Sequence, residues 1–170
     1  MDVGLILARL LHVIGGVLWV GAIWFVSVFL APSLNEAGPD AGKVMQGLMR
    51  RKFMIAIPVI AVVTMLSGLW LYWKVSAGFE PAYMGSGPGK AYGTGATLAI
   101  LAFIMGMVVT RPAMLKAGAL TQAAMSAAAD EKQAMMAQAD ALRARATVWS
   151  KVIVTLLIAA TMAMAVGRYV

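Results

Sequence analysis

Val3-Gly4-Leu5-Ile6-Leu7-Ala8-Arg9-Leu10-Leu11-His12-Val13-Ile14-Gly15-Gly16-Val17-Leu18-Trp19-Val20-Gly21 opens an apolar run that continues to Leu30 and carries the only histidine of the chain. A run of this kind cannot be a barrel strand, which alternates apolar and polar residues and spans in about 10. About 20 apolar residues at a rise of about 1.5 Å cross the hydrocarbon core as a helix. Three more runs of similar character follow. The expected spans are about 3–30, 53–73, 92–110 and 148–166, which predicts an all-α integral membrane bundle of four transmembrane helices in one domain, residues 1–170.

Composition points the same way. Hydrophobic residues make up 62% of the chain and charged residues 12%, and the mean hydropathy is +0.85. A water-soluble surface needs far more charge than this. Asp2 at the start of the first run, the length of that run and the lack of a cleavage site argue for a retained helix rather than a signal peptide. The net charge of +7 does not point to nucleic acid, because the cations gather in two connectors. Lys43, Arg50, Arg51 and Lys52 follow the first span; Arg111, Lys116, Lys132, Arg143, Arg145 and Lys151 follow the third. By the positive-inside rule both connectors face the cytoplasm, with both termini outside, in an inner membrane.

Between the spans, Asn35-Glu36-Ala37-Gly38-Pro39-Asp40 reads as a connector, with Asp40 as N-cap of a short basic helix running to Arg51. Pro58 falls one turn inside the second span, where it removes a backbone hydrogen bond and favours a bend. Residues 75–91 hold six Gly or Pro positions and are expected to be an irregular flap over the outer mouth. The Ala-rich stretch 113–147 predicts a cytoplasmic helical hairpin, broken near 126–130, whose second arm runs into the last span through Trp149. No heptad repeat of the coiled-coil kind is sustained, and no internal repeat or second globular domain stands out.

The candidate chemistry lies in the first span. Helical spacing sets Arg9, His12, Gly15 or Gly16, and Trp19 on one stripe. An imidazole above a glycine gap beside a large aromatic suits a flat macrocycle with iron at its centre, giving His12 as metal ligand and Gly15, Gly16, Trp19 and Arg9 as the cofactor-binding set. The competing reading is a histidine hydrogen-bonded to a hydroxyl or carbonyl inside the bundle, beside glycines that serve a tight helix crossing. Arg9, Lys74 and Arg168 stand near the outer interface, where a cation either meets a propionate or simply snorkels; Arg9 is favoured for the propionate.

Other classes fall away on residue type. No Asp or Glu lies within a span, so the carboxylate relay of a proton pump is missing. Cysteine is absent, which removes disulfides and thiolate metal sites. Thr64, Ser67, Thr97, Thr155 and Thr161 are expected to bond helix carbonyls rather than act as nucleophiles. Gly85-Ser86-Gly87-Pro88-Gly89 lacks the Lys and Ser/Thr ending of a phosphate loop. The 14 Met residues are mainly gap-fillers, although Met84, or Met45, Met49 and Met54, are soft ligands that copper transport would use.

The opening Leu10 to Gly21, ending in Leu30-Ala31-Pro32, resembles the first helix of copper-resistance D-like membrane proteins and of the small haem-binding membrane protoporphyrinogen oxidases. Met49-Arg50-Arg51-Lys52, Pro58, Thr64 and Gly68-Leu69 resemble the second-helix pattern of those oxidases. The resemblance implies a b-type haem, haem b, held by His12, and either electron transfer or protoporphyrinogen oxidation. The third span, residues 92–110, carries no histidine where the oxidases have a second one. A different expectation is a non-catalytic accessory subunit, packed as a homo-oligomer or within a larger membrane complex, whose hairpin at 113–147 docks a cytoplasmic partner.

Overall fold

The computed structural model describes residues 2–38 and 41–170. Four long helices dominate them: α1 (Val3–Glu36), α3 (Phe53–Val75), α5 (Gly87–Ala123) and α6 (Ala129–Val166), each long and apolar enough to cross a membrane. Two short helices, α2 (Ala41–Arg50) and α4 (Pro81–Gly85), lie in the connectors. No strand occurs among the described residues, so the all-α four-helix expectation holds. The expected N-cap Asp40 lies outside the described residues.

The four spans form a ring in chain order. α1 packs along α3 and α5 along α6, while α1 meets α6 and α3 meets α5 over shorter lengths. Every span contributes to the central cluster: Trp19 from α1, Ala61 from α3, Ala102 from α5, and Ile153 and Leu157 from α6. Trp19 is 5% exposed and meets Phe103 edge-on, ring centroids 6.3 Å apart, a geometry the aromatic quadrupole favours. Most other large apolar side chains, among them Leu11, Val17, Val108 and Met162, point outward. Lipid, rather than a larger core, is the environment that accepts such an exterior.

The connector between α3 and α5 is more ordered than its breaker content predicts. Ser76, fully buried, caps the end of α3: its hydroxyl accepts from the Phe79 N–H at 2.8 Å. Ala77, Gly78 and Phe79 then turn through left-handed backbone. Residues 75–91 are not the expected irregular flap, because α5 begins at Gly87 rather than near Tyr92. Ser86 supplies the N-cap, accepting from Gly89 N–H at 3.2 Å, and Pro88 stands in the first turn, where its missing N–H costs nothing. Gly89 is required by close approach, since a Cβ there would strike the Tyr83 carbonyl oxygen. Tyr72 of α3 donates its hydroxyl to the Gly89 carbonyl at 2.6 Å, tying the two helix pairs together at this end.

At the opposite end the predicted hairpin is present, its second arm running into the last span through Trp149 as expected. Both arms are direct continuations of α5 and α6, joined by residues 124–128. Their contact is built from alanines: Ala113, Ala117 and Ala124 on one arm, Ala139 and Ala146 on the other, all buried. Along α6 the buried positions Ala139, Ala146, Ile153 and Ala160 recur at seven-residue intervals, the spacing that keeps two helices side by side over a long distance. The heptad is therefore present, written mainly in alanine with Ile153 as its one large residue. On α5 and its C-cap the matching series is Gly95, Ala102, Ala117 and Ala124. The middle step is one residue longer than two heptads.

That extra residue is absorbed by a π-helical turn, Gly106–Thr110, in which the Arg111 N–H bonds the Gly106 carbonyl five residues back. α1 has the same device at Val26–Leu30, where the Ala31 N–H bonds Val26. Each wide turn stops two residues short of a proline, Pro32 in α1 and Pro112 in α5. A proline ring collides with the carbonyl four residues before it in an α-helix. Widening that turn lets both helices continue past their prolines. Pro58 also lies within a continuous helix.

Candidate functional site

His12 sits where α1 crosses α3. Thr64 and Gly68, one helical turn apart on α3, form the surface that receives it. The imidazole Nδ1 is 2.8 Å from the Thr64 carbonyl oxygen. A carbonyl can only accept, so Nδ1 carries the proton, and in the neutral ring Nε2 keeps its lone pair. The ring lies against Gly68, where an added Cβ would collide with Cε1 and stand 2.6 Å from Nδ1. Glycine is thus a steric requirement of the histidine's position.

The neighbouring stripe closes the same crossing. A Cβ on Gly15 would strike the Thr64 hydroxyl oxygen, whereas one on Gly16 would touch only Thr64 Cγ2 at 3.8 Å, an ordinary contact. Thr64 is buried, and its hydroxyl donates to the Ile60 carbonyl at 2.8 Å. Ser67, Thr97, Thr155 and Thr161 make the same bond to the carbonyl four residues back. These five hydroxyls are therefore engaged with backbone, as their residue type leads one to expect, whereas the buried hydroxyls of Ser27 and Thr110, both in the π turns, have no partner.

Of the five residues singled out from sequence, the fold brings His12, Gly15 and Gly16 together on α3 and sends Trp19 inward, where it anchors the central cluster. Arg9, one turn from His12, is exposed and makes no hydrogen bond or ion pair among the described residues. Lys74 is not free in that way: its ammonium lies 5.4 Å from the ring centroids of both Trp70 and Trp73. Arg168 stacks on Tyr169 at 4.6 Å. Such cation–π contacts suit cations held at a membrane interface. A Cβ on Gly21 would meet nothing within 4 Å, so this glycine takes no part in the crossing.

Sequence reasoning gave no role to two partners of His12: the Thr64 carbonyl and Gly68. The signal that points to them is the small-x-x-x-small pair Thr64 and Gly68, the spacing at which membrane helices approach closely. No group of three or more His, Asp or Glu that could hold a bare metal ion occurs among the described residues. Comparison with protein-family models, with curated proteins and with solved structures gives no match to this chain.

Proposed function

We propose that this chain is a b-type haem-binding protein of the cytoplasmic membrane, acting in electron transfer or porphyrin oxidation, with His12 Nε2 as the axial ligand. The observation that supports the reading is the bond from His12 Nδ1 to the Thr64 carbonyl, because it leaves the Nε2 lone pair for an iron; the competing reading also expects this bond. A metal-binding histidine donates its second ring N–H to a carbonyl or carboxylate, which fixes the tautomer and raises the basicity of the ligating nitrogen. The donor set present fits a macrocycle that needs one protein ligand, and does not suit a bare ion. When bound, haem would supply one-electron chemistry at its iron.

The remaining residues divide by what they touch. Thr64 and Gly68 orient the imidazole, and Gly15 lets the two helices close on it. Trp19 locks α1 to the rest of the bundle. Arg9, exposed and one turn away, is the cation available to a propionate. The cation distribution supports an orientation with the hairpin inside and both termini outside.

The test is a visible spectrum of detergent-purified protein, oxidised and reduced, with haem counted per chain, for wild type, His12→Ala and Gly68→Ala. A Soret band lost in both variants supports the proposal. A colourless wild type from haem-replete cells overturns it. In that case the accessory-subunit reading takes over, favoured by the exposed tip of the hairpin, where Met125 is 80% exposed. Mass measurement in mild detergent would then reveal a stoichiometric partner.

A further inference from the structure

A second site lies far from His12, at the base of the hairpin. A cavity of about 200 Å³ opens between α5 and α6, lined by Val108, Val109, Pro112, Lys116, Leu142 and Arg145 among others. Its wall is graded along the helix axis. Val108 and Val109 belong to the π turn at the end of the apolar part of α5, and Lys116 follows about two turns later, a rise of about 12 Å. Along α5 the cavity therefore runs from the edge of the hydrocarbon into the headgroup layer, apolar at Val108 and Val109 and cationic at Lys116, while on α6 Arg145 lies between these levels and Leu142 lies one turn further out beside Lys116.

Neither cation is neutralised. Among the described residues Lys116 and Arg145 have no carboxylate partner, and both are exposed. The hairpin ion pair that is present joins Arg143 to Asp140 at 2.7 Å and leaves Arg145 free. Arg111, beside the lining Pro112, adds a third positive charge, and its Nε is buried without a hydrogen-bond partner. The π turn and Pro112 are what widen this segment of α5.

We propose that this cavity binds the phosphate headgroup of an anionic phospholipid, with Lys116 and Arg145 on the phosphate and the glycerol end of the acyl chains against Val108 and Val109. Two cations facing the layer where lipid phosphates lie, above an apolar floor that meets the acyl region, match that ligand in both charge and polarity gradient. The volume suits a headgroup rather than a larger metabolite, since most small-molecule pockets exceed about 300 Å³. Such binding requires the membrane spans and not haem.

The test uses full-length protein in a neutral detergent, titrated with dioleoyl phosphatidylglycerol, dioleoyl phosphatidylcholine or inorganic phosphate, with thermal unfolding and native mass spectrometry as readouts. Phosphatidylglycerol is expected to raise the Tm and to appear as a retained adduct. The double variant Lys116→Gln, Arg145→Gln should bind it roughly 30-fold more weakly, about fivefold per charge. Lys74→Gln, at the opposite end, should bind as wild type does. The proposal is overturned if the double variant keeps wild-type affinity, if Lys74→Gln weakens binding equally, if phosphatidylcholine binds as well, or if inorganic phosphate alone reproduces the shift, which would make the site one for a soluble anion. Because both side chains are exposed, the double variant should retain its helicity; Leu142→Trp, which adds bulk to the lining beside the cations, provides a second route to the same loss.

Discussion

The two helix pairs of this bundle use small residues to opposite ends. Between α5 and α6 the alanines at 113, 117, 124, 139 and 146 bring two backbones together, and one part-buried polar bond, Arg143 to the Thr121 hydroxyl at 2.6 Å, crosses between the arms. Between α1 and α3 the glycines leave room for an imidazole: Gly68 lies beneath the ring and Gly15 admits Thr64. A small residue facing a small residue makes a long seam, whereas a small residue facing a histidine makes a site. What separates the two is the side chain opposite the gap.

Breaking the seam should have the largest effect. Ala139 is 0% exposed, so Ala139→Leu forces bulk between two continuous helices and is expected to cost about 3 kcal/mol, as overpacking does; unfolding in detergent would measure it. A neutral outcome would mean that the arms are not held together by close approach. Next in size is Gly68→Ala, which displaces the imidazole from the Thr64 carbonyl and should cost about 1–2 kcal/mol from overpacking and the lost bond. Gly16→Ala is its control. The new methyl makes only ordinary contact, and helix propensity should leave the protein unchanged or stabilised by up to about 1 kcal/mol. If both glycines respond alike, the special role of Gly68 fails.

A smaller effect is expected from shortening α5 by one residue at Val108. Removing the extra residue from Gly106–Thr110 converts the π turn to α-helix and keeps Ala102 and Ala117 on one face, at a cost under about 1 kcal/mol beyond the renewed strain at Pro112. Removing Ile100 instead rotates the two halves of the stripe apart, and unfolding curves of the two deletions should differ clearly.

The least effect concerns Tyr83, in the connector that joins the two pairs. Burial, then the neighbouring phenols Tyr92 and Tyr72, push its phenol above the ordinary range. Below the ordinary phenol pKa both folded and unfolded chains are neutral there, and the full stability is present. As pH rises past it the unfolded chain ionises first, and stability falls until the folded phenol ionises too. Tyr83→Phe should flatten that alkaline loss, read by unfolding between about pH 9 and 11.

Much of the architecture was legible because it rests on local quantities. Run length and residue type predict four helices; the His12, Gly15 and Gly16 stripe follows from helical spacing; the hydroxyls of Thr64 and Ser67 follow from their chemistry. The start of α5 was less legible, because Gly87-Pro88-Gly89 reads as a turn until Ser86 is known to cap it and Tyr83 is known to press on Gly89. The heptad on α6 was missed since alanine contributes little to an apolar signal, although its small volume is what closes the seam.

The sequence by itself determined the solvent of this protein and the number of its crossings, since the cost of placing charge or unpaired backbone in hydrocarbon is set by composition and length alone. It also placed the imidazole at a fixed position on the first helix. Tertiary structure alone decided which face of which helix meets that imidazole. Thr64 and Gly68 lie more than fifty residues away, and only the crossing of α1 with α3 makes one a hydrogen-bond acceptor and the other a seat. The same holds for Lys116 and Arg145, which become a pair only when α5 and α6 fold back on each other, because the fields of two charges add where they are close in space, not in sequence.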